Sequence, residues 1–135
     1  MEFDLHSNIK QLVALDFAAI TTDTTTVGNI IDTLDFESLE FIVQSGDITD
    51  GAYALLLEEG DDSGLSDVAA VSAEETLGVL TGFVAADDNA AKRVGSIGKK
   101  RYQRLSIVST GTTTGVDSMT AVAVLGNPKT APVAE

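Results

Sequence analysis

The sequence predicts an all-β domain, a β-sandwich or jelly roll of about six to eight antiparallel strands, occupying residues 1–135 as a single unit. Three observations carry this. Threonine occurs 15 times and glycine 12 times in 135 residues, against two prolines; Thr and Val suit pleated surfaces, and Gly punctuates turns. Turn signals recur at roughly ten-residue intervals between short stretches of alternating apolar and polar residues. Strands alternating with long helical patterns, the mark of a doubly wound sheet, are missing.

Taken in order, residues 1–15 leave two readings open. Leu5, Ile9, Leu12 and Val13 fit helical spacing loosely, and the same stretch suits an extended N-terminal arm. After the threonine run at 21–26, residues 26–34 read as a strand with Gly28 as a bulge, and Asp35 starts a turn. In residues 37–45, Leu39, Phe41 and Val43 alternate with Ser38, Glu40, Ile42 and Gln44, one face for the core and the other mostly for water. Asp50-Gly51 is a strong turn pair, so residues 52–59 are expected to return as the hairpin partner, with Tyr53, Leu55 and Leu57 on one face.

Residues 60–67 form an acidic loop. Ser72 precedes Glu74 and Glu75 and predicts a short helical turn near 72–78 with a capping box. Thr81 to Ala85 reads as a short strand and Asp87-Asp88-Asn89 as a turn. Residues 92–97 and 101–109 are strands separated by Gly98-Lys99-Lys100; Gln103, Leu105 and Ile107 share a face of the second. Residues 118–125 are small and apolar throughout, which suits a strand buried on both faces. Gly126-Asn127-Pro128 ends it, and residues 129–135 read as an exposed, flexible tail.

The formal net charge is −13, from 21 acids against 8 bases. Residues 1–91 contain one base, Lys10, whereas residues 92–104 contain Lys92, Arg93, Lys99, Lys100, Arg101 and Arg104 and no acid. Such an acidic body is repelled by nucleic acid and by anionic membranes. The six bases are the candidate contact residues. Either they flank a strand and pair with the protein's own acids, or they form a patch that meets a subunit or another partner. Tyr102 and Arg104 have the chemistry to stack on nucleic acid, but residues of this kind on a strand ordinarily pack across the sheet.

Reactive chemistry is scarce. Cysteine and tryptophan are absent and His6 is the one histidine, which removes thiol catalysis, Cys-ligated metals and most catalytic triads. The stretch Glu58-Glu59-Gly60-Asp61-Asp62-Ser63-Gly64 is the best calcium candidate, yet its spacing departs from an EF-hand loop; a solvated loop is the simpler reading. Paired carboxylates also suggest glycoside hydrolysis, but 21 acids offer many chance pairs and the tryptophans that commonly form sugar platforms are missing. Gly95-Ser96-Ile97-Gly98 has the wrong spacing for a nucleophile elbow, and no phosphate-loop glycine pattern occurs. No apolar run reaches the roughly 18 residues needed to cross a bilayer, and no basic-then-apolar leader is evident. The expectation is a non-enzyme with no cofactor and no metal.

Three segments together carry a resemblance: Thr22-Asp23-Thr24-Thr25-Thr26-Val27-Gly28 with Ile30-Ile31-Asp32-Thr33; Phe36-Glu37-Ser38-Leu39-Glu40-Phe41 through Asp50-Gly51; and Arg101 to Ser109 with Ala121 to Pro128. Over about residues 20–133 the chain resembles small structural proteins of tailed bacteriophages, most of all head decoration, or cement, proteins, some of which are jelly rolls. The resemblance implies a virion protein on the outer surface of the capsid, with the major capsid protein as partner, a homo-oligomer (dimer or trimer), and no direct contact with nucleic acid or membrane. No site residue is carried over, because no catalytic signature exists to match. Two alternatives belong to other classes: a tail, neck or fibre-associated β protein of a phage, and a calcium- or carbohydrate-binding β-sandwich module.

Overall fold

The computed structural model describes residues 4–134. In chain order the strands are β1 (Lys10–Ile20), β2 (Thr25–Thr26), β3 (Ile31–Asp32), β4 (Phe36–Ser45), β5 (Ala52–Gly60), β6 (Ala69–Ala70), β7 (Thr76–Leu77), β8 (Ala91–Ser96), β9 (Tyr102–Thr110) and β10 (Val116–Pro128). They form two antiparallel sheets. The first has the order β1-β10-β4-β8-β7, and the second β2-β9-β5-β6, with β3 also on β9. From β1 to β5 the chain passes from one sheet to the other at each connection, apart from the step between the two short pieces β2 and β3. Four-strand sets ordered 1-10-4-8 and 2-9-5-6 are the double Greek key of a jelly roll.

The core lies between the sheets and follows the period-2 alternation of the strands. Phe41 and Val43 of β4, Met119, Ala121, Ala123 and Leu125 of β10, and Val94 of β8 meet Tyr53, Leu55 and Leu57 of β5 and Leu105 and Ile107 of β9; all are buried. The Tyr53 hydroxyl donates to the Asp50 carbonyl at 2.9 Å, so the largest buried ring carries no stranded polar atom.

Strands β4 and β5 are not the hairpin the sequence predicts. β4 pairs with β10 and β8, whereas β5 pairs with β9 and β6. The link 46–51 runs beside the start of β10, with Gly46 N–H on Ser118 O (2.8 Å) and Thr49 N–H on Gly115 O (2.9 Å). It crosses the end of the sandwich, a layer spacing of about 10 Å. The inner faces of both strands are mainly apolar, Leu39, Phe41 and Val43 on one and Tyr53, Leu55 and Leu57 on the other, and facing one another across the core buries both at once.

Other expectations change in detail. The strand expected at 26–34 is split into β2 and β3, because Asn29 N–H leaves β9 and donates to Ala14 O of β1 at 2.8 Å. Within the proposed arm at 1–15, residues 10–15 belong to β1, since Leu12, Ala14 and Leu15 pack on the core; residues 1–3 lie outside the described ones. Residues 73–75 form the expected turn, of 3-10 type, but the Ser72 side chain makes no cap bond. Instead of a strand at 81–85 there is a single bridge, Phe83 to Tyr53, and Gly82 at φ +73° turns the chain away. Strand β10 alternates buried and half-buried residues, because its outer side faces solvent and not a second layer. Residues 129–134 are mostly exposed, and Lys129 and Val133 N–H bond to Asp35 O and Ser7 O at 2.8 and 2.9 Å. Glu135 lies outside the described residues.

Candidate functional site

The six bases clustered at 92–104 in the sequence are dispersed in the fold. Lys92 Nζ donates to Gly82 O at 2.6 Å, lies 3.2 Å from Asp87 Oδ1, and rests 5.0 Å from the centre of the Phe83 ring. Lys100 Nζ pairs with Asp61 Oδ2 at 2.7 Å. Arg101 forks onto Asp32, and its guanidinium also lies 4.9 Å from the Tyr102 ring. Arg104 reaches Glu58 Oε1 at 3.0 Å on the outer side of the second sheet. Four of the six thus meet the protein's own acids. Arg93 and Lys99 are exposed, Arg93 on the outer face of the first sheet and Lys99 in the connection between β8 and β9. Only Lys99, Lys100 and Arg101 stay neighbours.

The acidic loop uses its carboxylates to hold itself. Asp67 accepts the backbone N–H groups of Asp61 and Asp62 at 2.9 and 3.2 Å, and Asp62 Oδ2 accepts those of Gly64 and Ser66 at 3.0 and 3.1 Å. These N–H donors hold both carboxyls below the usual carboxylate range. Among the described residues, no cluster of three or more His, Asp or Glu is arranged to hold a metal ion.

A different surface stands out. On the outer face of the first sheet, the register aligns Val13 of β1, Val122 of β10, Ile42 of β4 and Arg93 of β8 in one row. The next row holds Gln11, Val124, Glu40, Gly95 and Leu77. Val13, Ile42 and Leu77 are 55%, 41% and 50% exposed. Ser38, Gln44, Thr120 and Ala91 complete much of the face. In a chain with 21 acids, these two rows contain one acid and one base. Glu40 lies over Gly95, whose missing Cβ would meet the Glu40 carboxylate at 2.4 Å. Burial raises the Glu40 carboxyl above its ordinary value, and nearby Arg93 offsets part of that.

The sequence pattern already held this face. Ser38, Glu40, Ile42 and Gln44 were the solvent side of the clearest strand, but the apolar row emerges only when Val13 and Val122 are set beside Ile42. A second feature that sequence reasoning missed is Glu59. It belongs to the inward set of β5 with Leu57, and parity with Leu57 was the signal available.

No protein-family model matches this sequence, and no curated protein matches it. Among solved structures, a chain of "Structure of infectious bursal disease virus Gx strain" is similar to it with a TM-score of 0.42 and 16% identity, over 92% of this chain and 34% of that one. The present chain therefore spans about a third of that neighbour's length. At this level the likeness carries no functional argument.

Proposed function

We propose that the protein is a structural virion component, a decoration protein that docks on the outer surface of a bacteriophage head, contacts the major capsid protein and stabilises the shell. The observation that carries this reading is the nearly neutral, valine- and isoleucine-bearing outer face of the first sheet on an otherwise strongly acidic body. Like charge keeps free copies apart in solution, and a face with little charge offers contact without desolvating ions. A jelly roll whose bases and loop carboxylates are largely tied into its own hydrogen bonds suits a part that adheres and makes or breaks no bonds. Many copies, each adding a modest contact, raise the barrier to disassembly together. The resemblance to phage cement proteins points the same way.

Co-sedimentation with undecorated capsids tests the reading. The protein is expected to bind and to raise the temperature at which the shell comes apart, and Val13→Asp with Ile42→Asp is expected to weaken binding at least about tenfold, the loss from placing charges in a desolvated contact. Failure of the unaltered protein to bind overturns the function. Binding unaffected by the double substitution overturns the choice of face.

A further inference from the structure

At one end of the core, two residues paired across neighbouring strands each hold a buried acceptor oxygen without a donor. Glu59 of β5 and Gln103 of β9 are directly paired across the strands, both on the inward side, where such neighbours have Cβ atoms about 5 Å apart. Gln103 is 3% exposed. Its Nε2 donates to the carbonyls of Gly98 and Lys100 at 3.4 and 3.3 Å, which sets the amide's orientation. Its Oε1 is then enclosed with no donor.

The Lys100 backbone N–H and side chain lie near the Glu59 carboxyl and favour its charged form, and its Oε2 is likewise enclosed with no donor. That oxygen lies 2.2 Å from where a Cβ on residue 98 would be, so only glycine lets the carboxyl fold under the connection. Glu59 and Gln103 together grip residues 98–100 from below.

A buried acceptor without a donor is costly, and an ionised one more so. A single proton on Glu59 Oε2 would remove the buried charge and, turned toward Gln103 Oε1 of the paired residue, would give both oxygens a partner. The charged groups facing Glu59 are Glu75 from the 3-10 turn, Asp61 from the acidic loop and Lys100 from the connection. Burial is the main force that raises the Glu59 carboxyl above its ordinary value, Glu75 adds to it, and Lys100 opposes it.

We propose that Glu59 and Gln103 form a protonation-dependent latch on the connection between β8 and β9, closed when Glu59 carries a proton and loosened when it ionises. The connection bears Ile97, 56% exposed, together with Lys99 and Lys100, so the latch governs the presentation of an apolar and basic loop. This inference stands apart from the proposed docking, since it concerns the isolated protein.

The experiment is an NMR titration of the Glu59 carboxyl and of the backbone amides of 97–100, beside thermal melting of the protein and of Glu59→Gln. The Glu59 carboxyl is expected to titrate above the ordinary glutamate value of about 4.3, and the Gly98 and Lys100 amides to shift with the same midpoint. A glutamine supplies an N–H to Gln103 Oε1 at every pH, so Glu59→Gln is expected to melt a few degrees higher than the unaltered protein near pH 8. That gap closes as the pH falls through the Glu59 midpoint. A midpoint at or below the ordinary value, amides that do not follow it, or a Glu59→Gln variant less stable near pH 8 overturns the latch. Should the variant not fold, the titration of the unaltered protein decides alone.

Discussion

Arg101 and Asp32, 69 positions apart in the chain, meet in a two-point fork, with Nε and Nη2 each donating to a carboxylate oxygen at 2.8 Å. The fork holds Asp32 below the usual carboxylate range. Thr33 adds backbone and side-chain bonds to the Arg101 carbonyl at 3.0 and 2.7 Å. Together these contacts clamp the approach to β9 against β3.

This pair invites comparison with Arg104 and Glu58. The Arg101 and Asp32 side chains are 44% and 45% exposed, those of Arg104 and Glu58 18% and 17%. Water screens the first pair, and removing one partner of an exposed pair costs little. Removing Arg104 leaves Glu58 half-buried and unpaired. Thermal melting is expected to show Arg101→Ala within about 2 °C of the unaltered protein, and chemical denaturation to show Arg104→Ala destabilised by about 1–2 kcal/mol. Equal losses in the two variants would contradict the screening argument.

Gly28 passes closely between strands of the two sheets. A Cβ there would lie 2.0 Å from Leu105 O and 2.5 Å from Ala14 O, both backbone atoms in strands that cannot retreat without breaking their ladders. Gly28→Ala is expected to destabilise by about 3 kcal/mol, at the upper end of overpacking effects. Gly111→Ala is a useful contrast. Its Cβ would meet nothing within 4 Å, although its φ of +65° still adds strain, so urea unfolding should show a smaller loss there.

Acid stability divides the carboxyls into two groups. Asp50 accepts the N–H groups of Thr113, Thr114 and Gly115 at 3.0, 3.0 and 2.8 Å, which hold it below its ordinary value of 3.8. Asp23, Asp32, Asp62, Asp67 and Asp87 are lowered as well. A lowered group contributes stability that is present above its unfolded value and lost as the pH falls through its folded value. Glu40 and Glu59 are raised, so their sign is opposite: stability declines as the pH rises through the folded values. The melting temperature is therefore expected to peak on the acidic side of neutrality and to fall steeply below about pH 4. Asp50→Asn should melt lower at neutral pH and lose part of that acid-side slope. A melting temperature that keeps climbing to pH 8 would contradict the assignment.

Much of this was legible because strand periodicity is local. Leu39, Phe41 and Val43, then Tyr53, Leu55 and Leu57, then Gln103, Leu105 and Ile107, each recur at every second residue, and each set is buried. Pairing was not legible. Alternation says which side of a strand is apolar and is silent on which strand lies beside it, so Asp50-Gly51 suggested a hairpin where the chain changes sheets. The basic segment shows the same limit. Six bases in thirteen positions look like one patch, yet neighbouring residues on a strand point to opposite sides, and Arg93 and Arg104 end on opposite faces of the sandwich.

By itself, the amino-acid sequence determined an all-β chain, its inward-facing residues, its acidity and its poverty in reactive side chains, because composition and period-2 patterning act within a few residues. Only the tertiary structure decided the jelly-roll order, the row of Val13, Val122 and Ile42 on one open face, and the meeting of Glu59 with Gln103. Those depend on register between strands distant in the chain, which is selected by burying every inner face at once, not by any local signal.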